Sequence, residues 1–120
     1  MAQRKTILVI DDDPDVHFFC RSVLEAEGYQ VETAASGAAG IKLAEELSPD
    51  LIILDIMMER IDTGYTVVEK IGGRFPILIF SSMLNASDEA FDPSAVAYRD
   101  VVRKPIDAQT LLAKVRKQLP

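Results

Sequence analysis

The chain has 120 residues, 13 basic against 19 acidic side chains, a net charge of −6, 48% hydrophobic residues and 27% charged residues. That is the balance of one globular domain with a sizeable core, too short for two and too apolar for a disordered segment. The acidic charge argues against direct nucleic-acid binding, because a phosphate backbone attracts net positive surface, and no apolar run approaches the ~18 residues needed to span a membrane. Ile7–Ile10 is too short for a signal-peptide core and runs into carboxylates. The one cysteine, Cys20, sits among apolar residues and reads as a small core residue in a reducing cytoplasm.

In chain order, short runs rich in Val, Ile and Leu alternate with helical patterns, as in a parallel sheet with crossover helices. The predicted strands are Thr6–Ile10, Gln30–Ala34, Leu51–Leu54, Ile77–Phe80 and Val101–Val102. A first helix is expected from Pro14 to Glu27, capped by Asp13, with Val16, Phe19, Cys20, Val23 and Leu24 facing inward and Gly28 ending it. Ser36 and Gly37 open a second, with a stripe of Ile41, Ala44 and Leu47, and Ser48-Pro49 closes it. A third covers Tyr65–Ile71, closed by Gly72-Gly73, while Asp92-Pro93 interrupts any helix between Asn85 and Asp100. The last starts after Asp107, with Ala108, Leu111, Leu112, Val115 and Leu119 inward.

Alternating strands and helices with right-handed crossovers predict a three-layer α/β sandwich, whose ligands bind beyond the carboxyl ends of the strands. The residues there are Asp11, Asp12 and Asp13 after the first strand, Asp55 ending the third, Ser81 and Ser82 after the fourth and Lys104 after the fifth. Gathered carboxylates repel by on the order of 4 kcal/mol per close pair at an effective dielectric of ~20 unless a cation joins them. Oxygen donors without His or Cys suit Mg²⁺ better than Zn²⁺. A carboxylate nucleophile, a metal, an amine and a hydroxyl form a phosphoryl-transfer set, with Asp55 as the nucleophile. Any one of these residues alone reads as a cap or turn residue; their joint position carries the functional reading.

The strings ILVIDDDPD, DLIILDIMM and PILIFSS and the pair Lys104-Pro105 resemble, in order, the signature regions of response-regulator receiver domains of two-component signalling. The resemblance implies a flavodoxin-like α/β fold, a five-stranded parallel sheet of order 2-1-3-4-5 with helices on both faces, spanning residues 1–120. It implies Asp55 as phosphoacceptor and Asp12 as a direct Mg²⁺ ligand, with Asp11 acting mostly through water and Mn²⁺ as an alternative ion. The backbone carbonyl of Met57 would complete the protein ligands. Ser81 matches the hydroxyl that moves to the phosphoryl group, Lys104 the paired lysine, and Pro105 is a candidate for a cis-proline peptide; Asp13 is left to cap the helix. The phosphoryl donor would be a sensor histidine kinase or a histidine phosphotransfer protein, the output an unknown protein, and the setting cytoplasmic. Such a domain is a signalling switch that catalyses only its own phosphorylation and dephosphorylation.

The pattern departs from its relatives at the output side. Glu59 replaces the usual proline, Asp62-Thr63-Gly64 reaches glycine one residue late, Val101 replaces the switch aromatic with Tyr98 a poor substitute, and Asp92-Pro93 breaks the fourth helix. Met57 and Met83 stand where polar groups can orient the attacking water, so slow to moderate self-dephosphorylation is expected. The basic residues Arg99, Arg103, Lys114, Arg116 and Lys117 read as a solvated face complementing the last helix's negative end rather than as a docking patch. His17, the only histidine, reads as a boundary residue rather than a donor. A Ca²⁺ loop from Asp11, Asp13 and Asp15 fails, since Val16 and Ser22 stand where glycine and glutamate are required. Two rivals remain: a haloacid-dehalogenase-like phosphatase, whose aspartate motif Asp11 to Asp15 does not meet, and a degenerate receiver acting only by protein binding.

Overall fold

The computed structural model describes residues 4–55, 70–71, 74–81, 100–103 and 107–119. Five parallel strands, β1 (Thr6–Ile10), β2 (Gln30–Ala34), β3 (Leu51–Asp55), β4 (Ile77–Ser81) and β5 (Asp100–Arg103), form one sheet in the order β2-β1-β3-β4-β5. The described helices are α1 (Pro14–Ala26), α2 (Gly37–Leu47) and α3 (Ala108–Gln118). The arrangement is the expected flavodoxin-like one, a parallel sheet covered by helices. β3 is longer than expected by Asp55, β4 by Ser81, and β5 by one residue at each end.

The strands are apolar at successive positions because both faces of the sheet are covered. Ile7, Val9, Leu51, Ile53, Leu78, Phe80 and Val102 pack with Cys20 and Leu24 of α1 and Leu111 and Val115 of α3. The alternate residues Leu8, Ile10, Ile52, Leu54, Ile77 and Ile79 pack on the other face with Ala44 of α2 and with Ile71. A period of two therefore divides each strand between two cores.

Caps sit where the sequence puts them. Asp13, Ser36 and Asp107 each accept a backbone N–H of the following first turn, from Asp15, Ala39 and Thr110 respectively. α1 ends one residue early, with Glu27 as its C-cap and Gly28 at φ +93° beyond it. α2 is closed by its C-cap Ser48, which adopts the left-handed conformation with φ 47°. Leu47 is the exception to the predicted stripe: it is 37% exposed, because as the last helical residue it has core neighbours on one side only. The sheet is pinned at the opposite end by Asp50, whose N–H donates to the Thr6 carbonyl while its carboxylate accepts the Thr6 N–H, both at 2.8 Å.

Of the predicted helix Tyr65–Ile71, Lys70 and Ile71 are helical and the remainder lies outside the described residues. The segment Asn85–Arg99 and the altered positions Glu59, Asp62, Thr63, Gly64 and Tyr98 also lie outside them.

Candidate phosphoacceptor site

β1 is the hinge of the topology, because the chain leaves it to pair β2 on one side and returns to pair β3 on the other. The strand order switches at the carboxyl ends of β1 and β3, the place where open parallel sheets hold ligands. The register pairs Ile10 with Leu54, so one step further along the strands Asp11 stands beside Asp55. Asp11 is held there by its own N–H, which donates to the Ala34 carbonyl at 3.0 Å and extends the β1–β2 ladder past the strand. Asp55 is paired on its other side with Phe80 of β4, and the alternation of β3 turns it to the face that carries α1 and α3.

Asp11 is 1% exposed and Asp55 5%, while Asp12 is exposed in the loop between β1 and α1. One carboxylate oxygen from each of the three lies within 4.8 Å of the others. Neighbouring oxygens on one octahedral Mg²⁺ at about 2.1 Å are about 3 Å apart, so the three carboxylates are near enough for side-chain rotation, or a bridging water, to join them to a single ion. The donor set is carboxylate oxygen throughout, which a hard divalent cation prefers. Asp55 at the end of β3 and Asp11 and Asp12 in the loop after β1 thus form one acidic cluster.

The other expected participants are placed only in part. Ser81 is the last residue of β4, on the same rim. Met57, Lys104 and Pro105 lie outside the described residues, as does Met83, and Val101 is described as part of the β5 backbone.

One feature of the site escaped the sequence reading. The Asp13 N–H donates to Oδ1 of Asp11 at 2.9 Å, so the buried carboxylate is anchored by the residue that caps α1. An aspartate two residues before a helix cap is the signal that could have revealed this turn. The same observation weakens the phosphatase plan, in which Asp11 and Asp13 would be the working pair, since the Asp13 carboxylate accepts the Asp15 N–H at 2.9 Å.

The family model described as the response regulator receiver domain matches residues 7–116. The chain belongs to the response regulator receiver family. The transcriptional regulator RpaA of Synechocystis is 37% identical over 120 residues, a match covering 94% of this chain and 48% of that protein. The protein PilH of Pseudomonas aeruginosa is 29% identical, covering 94% of this chain and 96% of its own length. Among solved structures, the chemotaxis response regulator CheY4 of Vibrio cholerae superposes with a TM-score of 0.85 at 26% identity, covering 97% of this chain and 99% of that one. The receiver chain spans about half the length of the first curated relatives it matches, which are transcriptional regulators. It is a phosphoacceptor signalling switch of two-component systems, a signalling domain rather than an enzyme acting on a separate substrate.

Proposed function

We propose that Asp55 accepts a phosphoryl group from a phosphohistidine on a sensor histidine kinase or a histidine phosphotransfer protein, in a Mg²⁺-dependent reaction. The observation that carries this reading is the convergence of Asp11, Asp12 and Asp55 to within 4.8 Å at the point where strand order switches. Asp55 is the central member, fixed at the end of the strand between β1 and β4. Its oxygen attacks phosphorus while the bond to the donor nitrogen breaks and that nitrogen keeps the electron pair; with the ring's other nitrogen protonated, the donor departs as a neutral imidazole and Asp55 carries an acyl phosphate. Asp12 and Asp55 would hold the ion, with Asp11 mostly through water and the Met57 carbonyl as a further ligand. A bound Mg²⁺ supplies positive charge that offsets the carboxylates and the phosphoryl oxygens; Mn²⁺ offers the same oxygen chemistry.

The resemblance supports two further roles at the same rim. The Ser81 hydroxyl donates to a phosphoryl oxygen and Lys104 pairs with the modified aspartate, drawing the ends of β4 and β5 toward the site. These contacts favour one of two pre-existing conformations of the output face, which then meets a protein partner. None of the described helices is long and apolar enough to cross a membrane, and the reading places the switch in the cytoplasm, acting through protein contacts rather than on nucleic acid directly. Self-dephosphorylation is the one further reaction assigned to it.

The test is chemical mapping. After incubation with acetyl phosphate and Mg²⁺, proteolysis and peptide mass analysis are expected to find the phosphoryl group on the peptide carrying Asp55, released by hydroxylamine as acyl phosphates are. A stable label on a serine, or a label on a different aspartate, would overturn the assignment.

A further inference from the structure

Building on that metal-binding reading, we infer that Asp13 is a positioning residue for the cation, acting through Asp11. Three polar groups of this one residue point to two structures. Its N–H donates to Oδ1 of Asp11 at 2.9 Å, its carboxylate accepts the Asp15 N–H at 2.9 Å, and its carbonyl accepts the N–H groups of Val16 and His17 at 3.1 and 3.3 Å. With φ −95° and ψ 113° it stands just outside α1 in extended conformation, so the cap geometry also sets the direction of its N–H.

Asp11 is almost wholly buried, so bulk water does not orient its carboxylate and its protein partners do. Its main chain is fixed to Ala34, and the turn from residue 11 to residue 13 fixes its Oδ1. When the cap is lost, the first turn of α1 frays, residue 13 gains φ/ψ freedom and its N–H leaves Asp11. The buried carboxylate then samples rotamers that do not face Asp12 and Asp55, and the ion binds an ensemble of which only part is competent.

The competing origin of any Asp13 effect is its charge, which is exposed and screened. Three variants separate the two. Asp13→Ala loses cap and charge, whereas Asp13→Ser and Asp13→Asn keep a capping acceptor without the charge. Mg²⁺ binding is titrated calorimetrically, at a temperature where circular dichroism shows every variant folded. Asp13→Ala is expected to raise Kd about fivefold, the scale of a lost N-cap, and Asp13→Ser and Asp13→Asn to stay within about twofold of wild type. Equal affinity in all four proteins overturns the inference and leaves the metal site standing, and equal weakening in all three variants overturns it in favour of charge. Absence of Mg²⁺ binding in wild type overturns the inference together with the reading on which it rests. Should Asp13→Ala fail to fold, Asp13→Gln, which loses the charge and whose longer side chain caps poorly, takes its place, with the same weakening expected and an unchanged affinity overturning the inference.

Discussion

Asp55 and Asp11 are acidic side chains at 5% and 1% exposure, neighbours across two parallel strands. Burying charge is costly unless hydrogen bonds and counter-charge accompany it, and these two groups side by side, with exposed Asp12 within 4.8 Å, make an oxygen-only donor set of the kind a hard divalent cation suits. Asp12 stands in the loop and is the member that can be removed with least harm to packing. Asp12→Ala is expected to weaken Mg²⁺ binding by about tenfold or more with a change in stability below about 0.5 kcal/mol, read by calorimetric titration and urea unfolding. Retained affinity would show that the ion does not use Asp12. The methionine at position 57 bears on lifetime, because a thioether cannot orient an attacking water as an amide can. Decay of the acyl phosphate in vitro is therefore expected to be slow to moderate and to accelerate in Met57→Asn; fast decay that ignores the substitution would contradict this.

At the scale of elements, α2 packs against the sheet at Gly40, where an added Cβ would collide with Ile10 Cδ1 and stand 2.7 Å from Ile10 Cγ1. Ile10 is itself fully buried and cannot yield freely. Gly40→Ala is accordingly expected to lose about 1–3 kcal/mol in urea unfolding despite the better helix propensity of alanine, and the added change Ile10→Val to recover part of it, a coupling that a double-mutant cycle measures. A stabilised Gly40→Ala would show that the helix simply shifts outward. α3 offers a pH dependence. The backbone N–H of Thr110 and then its hydroxyl donate to the Asp107 carboxylate and hold its pKa below the ordinary 3.8. A group with a depressed folded pKa contributes stability that is fully present above the unfolded value and is lost as pH falls through the folded one. The urea midpoint should therefore fall between pH 4 and more acid solution by an amount smaller in Asp107→Ala than in wild type, and an identical fall in both would remove Asp107 from the acid response.

For the whole molecule, the strand order and the acidic centre were legible because they rest on local signals. Buried strands are apolar at every position, caps are Asp or Ser before a helical stripe, and the residue types at the strand ends differ sharply from those within. Leu47 was misassigned because periodicity gives an angle around a helix and not how far along it the core extends. The Asp13 to Asp11 bond was missed because its donor is backbone and its one mark in the sequence is a spacing, an aspartate two residues before a helix cap. Contacts such as Arg116 to Glu27 at 2.8 Å, which tie α3 to the end of α1 across 89 positions of sequence, were invisible for want of any local signal at all. What unites these levels is that a register between β1 and β3 brings carboxylates close enough together for one cation to join them. The most direct test is intact-mass analysis after incubation with phosphoramidate, with Mg²⁺ or with a chelator, on wild type, Asp12→Ala and Asp55→Asn. Wild type with Mg²⁺ is expected to gain one phosphoryl group, Asp12→Ala far less, and neither Asp55→Asn nor the chelated wild type any. Equal gain by Asp55→Asn, or by wild type without the metal, would contradict the account.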